Sequence, residues 1–317
     1  LKYVALLHAK KIWQLVVIHI QFIHPGYTAG FQPSFTVKPP TFRNKSGNRH
    51  YSMKYCILFL SLLAFACTKA PYSATNKTYK QQAKRYAKLL KTYPLQDSFA
   101  TSPDFVGTTN FSMRKPNYVI IHHTAQNSCE QTLKTFTLTR TAVSSHYVVC
   151  RTGTVFHMLN DYLRAHHAGV SFWGGATDLN SSSIGIEIDN NGSEPFSTEQ
   201  INSLLEVLGK LKKSFAIPAR HFIGHADIAP GRKVDPSRHF PWKQLADAGY
   251  GIWYDTTNIN VPANFDAMTA LRIIGYDISK PAAAIQSYKI HFVPQDTLNI
   301  IGPADEKILY SLMQKSL

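Results

Sequence analysis

Residues 184–189 alternate strictly: Ile184, Ile186 and Ile188 project to one side of an extended chain, Gly185, Glu187 and Asp189 to the other. A strand of this kind buries one face, and the next segment supplies a cover. Ser197 and Gln200 stand at capping-box spacing, ahead of a helical run in which Ile201, Leu204, Leu205, Leu208 and Leu211 share a face. A half-buried strand followed by an amphipathic helix confines the chain to layered α/β folds. The same alternation recurs upstream. "NYVIIHHT" from Asn117 is an apolar, β-rich run; "NSCEQTLKTF" opens on Ser128 and Gln131 at capping-box spacing, with Leu133 and Phe136 on one helical face. "SSHYVVCRTGTVFHML" reads as two strands about an Arg-Thr-Gly turn. An α/β body of about 130 residues, ending near Trp253, is expected.

Beyond "VPANF" the pattern turns purely helical. "NFDAMTALRIIGYDI", "PAAAIQSYKIHFVP" and "GPADEKILYSLMQKSL" predict three short helices divided by Gly and Pro signals, a second domain over residues 260–317. Leu271, Ile274, Ile285, Tyr288, Phe292, Leu309 and Leu312 are its candidate core. Three helices of this size are marginal alone, which favours docking onto the larger body.

The net charge of +15 points toward an anionic partner until it is located. Eight of the 34 Lys and Arg lie in residues 1–67, which hold no Asp or Glu, leaving 26 bases against 19 acids. That moderate excess suits an anionic polymer or an acidic envelope surface, and no nucleic-acid motif accompanies it. Residues 1–52 are expected to be upstream sequence. Residues 53–67 begin at Met53 with "MKYCILFLSLLAFACTKA", whose apolar run from Tyr55 to Ala66 reads as a secretory signal. The run is too short for a membrane-spanning helix, which needs about 20 residues. Its layout resembles a bacterial lipoprotein signal, with Cys67 lipidated and the protein held at the periplasmic face of the outer membrane. Ordinary cleavage is the alternative, since Leu63 stands one place early and Phe65 is bulky. Residues 68–105 are polar and basic, and read as a linker or stalk. Cys129 and Cys150 remain. An exported protein can oxidise such a pair, and two buried free thiols are the alternative the sequence leaves open.

Candidate chemistry gathers at the ends of the predicted strands. His122, His225 and Asp235 together form a set of two imidazoles and a carboxylate, the composition of a catalytic zinc site with an open fourth position. Spacing alone does not select between His122 and His123, which face opposite ways on a strand, nor does it name the third ligand.

The ordered motifs "VIIHHTA", "SSHYVV", "HHAG", "SIGIEIDN" and "GHADIAPGRKVDP…FPW", over residues 117–242, resemble the zinc-dependent N-acetylmuramoyl-L-alanine amidase family, its outer-membrane lipoprotein branch above all. That resemblance implies a mixed central β-sheet flanked by helices, an amidase domain over residues 106–255, and one zinc ion on His122, His225 and Asp235. It also implies Glu187 as the catalytic acid/base and Lys233 facing the scissile carbonyl, with His146, Tyr147 and His167 lining the substrate groove. Asp227 and Arg232 are expected to brace the loop, the carboxylate on backbone and the guanidinium paired with it. Residues 260–317 resemble the helical peptidoglycan-binding domain often joined to such amidases. The expected activity is hydrolysis of the amide between the N-acetylmuramoyl lactyl group and L-Ala of peptidoglycan or muropeptides during wall turnover. The protein is expected to be a monomer on a lipid anchor, with no nucleic-acid partner. The rival is a wall-binding protein without turnover. A zinc peptidase lacks support because no His-Glu-x-x-His helix is present.

Overall fold

A computed structural model describes residues 70–91 and 107–317. Residues 1–69, among them the expected signal with Met53 and Cys67, and residues 92–106, which take in the end of the expected linker, lie outside the described residues.

Five strands make one mixed sheet: β1 (Tyr118–His123), β2 (Tyr147–Val149), β3 (Val155–His157), β4 (Ser183–Ile188) and β5 (Phe222–Gly224), in the order β3-β2-β4-β1-β5. β1 lies parallel between β4 and β5, β2 is parallel to β4, and β3 is antiparallel to β2. The turn between β2 and β3 needs its glycine. Gly153 has φ +80°, and a Cβ there would stand 2.9 Å from the carbonyl oxygen of Glu199. The helices are α1 (Ser73–Leu89), α2 (Cys129–Thr137), α3 (Leu179–Ser182), α4 (Thr198–Phe215), α5 (His225–Ile228), α6 (Trp242–Asp247), α7 (Ala267–Ile274), α8 (Pro281–Phe292) and α9 (Pro303–Ser316).

One face of the sheet packs under α4. Ile184, Ile186 and Ile188 join Val119 and Ile121 against Ile201, Leu204, Leu208 and Leu211, while Leu205 is only partly covered. Each fully buried Ile or Leu contributes ~2 kcal/mol, so a one-residue slip of β4, which would expose three isoleucines, is strongly disfavoured. Ser197 caps α4 in a reciprocal box with Gln200. At α2, Ser128 accepts from the Gln131 amide, but the Gln131 side chain reaches back to Asn127 instead of to the cap.

The opposite face is covered by the C-terminal helices. Ile120 of β1, Ile223 of β5 and Ile228 of α5 share one apolar core with Leu271, Ile274, Ile285, Tyr288, Phe292, Leu309 and Leu312. A disulfide joins Cys129 at the start of α2 to Cys150 at the end of β2, across a Cα separation of 5.3 Å. α1 carries no buried residue. Among the described residues, no helix is long and apolar enough to cross a membrane.

Candidate metal centre

Three elements deliver three donor atoms to one point. β1 presents His122, α5 begins on His225 directly after β5, and the loop beyond α5 returns Asp235. His122 Nδ1 lies 3.0 Å from His225 Nδ1 and 3.2 Å from Asp235 Oδ2, and the last two are 2.9 Å apart. All three residues are buried. His123 faces the other way and accepts the Ser237 amide on its Nδ1 at 3.0 Å.

The surrounding hydrogen bonds settle which ring nitrogens carry protons. His225 Nε2 is 3.1 Å from the carbonyl oxygen of Ala168, which only accepts, so Nε2 carries the hydrogen and a neutral ring leaves Nδ1 bare. A longer chain serves His122. The Ser183 hydroxyl donates to the Leu179 carbonyl and therefore accepts from His167 Nε2 at 3.2 Å. His167 Nδ1 is then an acceptor for His122 Nε2 at 3.1 Å, which leaves His122 Nδ1 bare as well. Two lone pairs and a carboxylate oxygen thus converge with no proton to share, an arrangement that repels itself unless a cation binds them. The donor set fits a metal ion, and both imidazoles have the outward hydrogen bond that orients a metal-binding histidine.

Electrostatics agree. Burial pushes the His122 imidazole down to about 4, with the neighbouring His225 adding to the effect and Asp235 opposing it. Burial acts to raise the Asp235 carboxyl, but the close approach of the His122 and His225 imidazoles outweighs it and holds the group far below the usual carboxylate range. Glu187 is paired with His122 in the β1–β4 register and projects from the same face. Its Oε1 is 4.0 Å from His122 Nδ1, and its Oε2 is buried without a protein partner. Burial raises the Glu187 carboxyl to about 8, the Asp235 charge adds to this, and the Lys233 charge opposes it. Lys233 is half-buried on the loop ahead of Asp235 and acts on both Glu187 and His122. Two residues ahead of it, Gly231 takes a left-handed backbone (φ +72°).

Three expectations need correction. His167 does not line a groove: it lies behind His122, with both ring nitrogens engaged. His146 is fully buried, its Nδ1 accepting the Gly185 amide at 3.1 Å and its Nε2 donating to the Leu163 carbonyl at 3.0 Å, so it clamps β4 from beneath. Arg232 does not pair with Asp227. Its guanidinium donates to the carbonyl oxygens of Ala168 and Val170 at 2.7 and 2.6 Å, steadying the turn that supplies the acceptor for His225. Tyr147 is half-buried, its hydroxyl donating to Asp161 at 3.0 Å and its ring stacked on His157. Asp189 pairs with Arg151 at 2.9 Å.

Several further residues support the site. Gly185 is required because a Cβ would stand 2.5 Å from the His167 ring. A glycine between two isoleucines in a strand is itself a signal of such close approach. Ser183 closes the chain behind His122, and nothing local marks it. Asp227 is a brace, as its Oδ2 accepts the Gly224 amide at 2.7 Å, but its further partners, Tyr276 and His291, come from the C-terminal helices.

A mixed α/β sheet whose strand ends gather two imidazoles and a carboxylate beside a buried glutamate has the layout of a hydrolytic metal centre. The sequence profile of the family described as N-acetylmuramoyl-L-alanine amidase (Amidase_2) matches residues 112–238. N-acetylmuramoyl-L-alanine amidase AmiD of Escherichia coli K12 is 33% identical over 208 residues, 56% of this chain and 74% of the relative. The chain belongs to the N-acetylmuramoyl-L-alanine amidase family. The 1,6-anhydro-N-acetylmuramyl-L-alanine amidase AmpD of Haemophilus influenzae is 38% identical over 103 residues, 32% of this chain and 56% of that protein. Among solved structures, E. coli AmiD in complex with anhydro-N-acetylmuramic acid-L-Ala-D-gamma-Glu-L-Lys superposes with a TM-score of 0.58 at 29% identity, over 66% of this chain and 93% of that one. AmpDh3 of Pseudomonas aeruginosa superposes with the same TM-score at 28% identity, over 68% of this chain and 98% of that one.

Proposed function

We propose that this chain is a zinc-dependent N-acetylmuramoyl-L-alanine amidase that cleaves the amide between the lactyl group of N-acetylmuramic acid and L-Ala, in wall turnover and recycling. The observation that carries the reading is the convergence of His122 Nδ1, His225 Nδ1 and Asp235 Oδ2 with Glu187 alongside. The anhydromuropeptide bound in the AmiD complex supports muropeptides as the substrate class.

His122, His225 and Asp235 would hold the ion. When bound, zinc supplies Lewis acidity and lowers the pKa of a water to about 7. Glu187, desolvated and close by, accepts a proton from the attacking water and delivers it to the departing amine of L-Ala. Lys233 offsets negative charge growing on the carbonyl oxygen. The neighbouring helices and strands fix these groups before substrate arrives, so little ordering remains for the reaction itself.

Metal analysis of the purified protein, combined with mass spectrometry of digested anhydromuropeptides, tests the reading. About one zinc per chain and release of free stem peptide are expected. Products cut inside the peptide, or binding without cleavage, would overturn it. The location proposed is the periplasmic face of the outer membrane, with the monomer held by a lipid on Cys67. Cys67→Ala should shift the protein from the membrane to the soluble envelope fraction on immunoblotting, and an unchanged distribution would exclude this anchor.

A further inference from the structure

We infer that the C-terminal helices belong to the catalytic apparatus, because Tyr276 and His291 act as positioning residues that hold, through Asp227, the turn carrying His225. The inference rests on the reading of His225 as a metal ligand.

α5 is a single turn of four residues, His225–Ile228, and its first residue is the proposed ligand. One helical turn does not sustain itself, since nucleation costs more than its few hydrogen bonds return. External ties must hold it. Asp227 caps the turn by accepting the Gly224 amide at 2.7 Å, so the position of its carboxylate sets where the turn begins. That carboxylate is 1% exposed, and a buried charge stays where its partners are. Two of them come from outside the sheet domain: the Tyr276 hydroxyl donates to Oδ1 at 2.8 Å, and His291 Nδ1 lies 2.7 Å from Oδ2.

Both partners are themselves fixed. Tyr276 follows α7, fully buried, and burial together with the charge of Asp227 keeps its phenol protonated and a donor. His291 in α8 stacks on Trp242 with ring centroids 3.9 Å apart. A second route leads from the same helices to the same imidazole. Trp173 packs edge-on to Tyr276 at 4.9 Å and closely over Gly275, where an added Cβ would stand 2.5 Å away. The Phe172 amide donates to Ile228 of α5 at 2.8 Å, and Ala168, in the same loop, accepts from His225 Nε2 at 3.1 Å. The C-terminal helices therefore grip the turn that carries His225 and the loop that orients its ring. On this reading they serve turnover itself, in addition to any role in wall binding.

The test uses the full chain with Tyr276→Phe, which keeps the ring and removes only the hydroxyl, and with His291→Leu and His291→Asn, the last able to donate from near the original Nδ1. Zinc affinity is measured by chelator competition, kcat and KM on a soluble anhydromuropeptide, and folding by thermal denaturation. Tyr276→Phe and His291→Leu should each weaken zinc binding and lower kcat about tenfold, with KM within about twofold of wild type, and His291→Asn should restore part of both. Folded variants with wild-type zinc affinity and kcat, merely less stable, would overturn the inference and leave the zinc reading standing. A wild-type protein that takes up no zinc would instead overturn the zinc reading, and this inference with it.

Discussion

Glu187 shows how a residue's chemistry is made by its position. A carboxylate at a strand edge in water is an ordinary acid. Here β4 places it beside His122 with its side chain only 13% exposed, and burial lifts it to about 8. A group raised in this way is suited to take up and release a proton near neutrality. Glu187→Gln should keep the zinc content while kcat falls by about 10²–10⁴-fold, checked by metal analysis and turnover on one preparation. His225→Ala should lose zinc as well as activity. Wild-type turnover from the glutamine variant would remove Glu187 from the mechanism. The chemical types at this site were legible in the sequence, because two imidazoles, a carboxylate and a nearby acid are what such chemistry requires. Which of His122 and His123 faces inward was not settled by spacing, since adjacent strand residues differ only in which side of the sheet they face.

At the scale of the element, β4 does two jobs. Its isoleucine face packs under α4, and its other face carries Glu187 and, at Gly185, leaves room for His167. Gly185→Ala should lower stability by about 1–3 kcal/mol through overpacking and weaken metal binding by displacing the ring behind His122. Thermal denaturation and chelator competition read the two effects, and an unchanged metal affinity would show that His167 is dispensable for orienting His122. The clamp beneath β4 is sensitive to acid. Burial pushes His146 down to about 4, helped by the charge of Arg114 and opposed by its bond to Leu163. Between that value and the ordinary one near 6.5, the unfolded chain binds a proton that the native state refuses, so stability is lost as pH falls through this window. The loss for this residue is about 3 kcal/mol. Urea midpoints measured from pH 7 to pH 4 should therefore drop, and a flat profile would refute the assignment. The sequence does not separate the two roles for His146 and His167, because a histidine in a motif looks the same in a groove and beneath it.

Across the whole molecule, three otherwise separate segments meet at His122, His225 and Asp235, and a cation bound there would neutralise their mutual repulsion and tie them together. Removing zinc should therefore lower the melting temperature, because the ion binds the native state and not the unfolded chain. Differential scanning calorimetry with and without chelator measures the shift, and coincident melting curves would mean that the set contributes no linkage. The C-terminal helices contribute to the same coherence. Their apolar residues were legible as a small helical core, yet that core extends over Ile120, Ile223 and Ile228, and Asp227 is gripped by Tyr276 and His291 at sequence separations of 49 and 64.

The sequence by itself determined the layered α/β body, the isoleucine face of β4, the capped helix α4 and the inventory of chemical groups. These follow from periods of two and about 3.6 and from residue type, both local properties of the chain. The tertiary structure alone decided which ring nitrogens are bare, that His167 and His146 lie behind the site, and that Arg232 bonds to carbonyls instead of to Asp227. It also decided that Cys129 meets Cys150, and that the last helices reach the turn carrying His225. Each of these depends on which distant groups share a buried space, and burial leaves a polar atom no water to substitute for its partner.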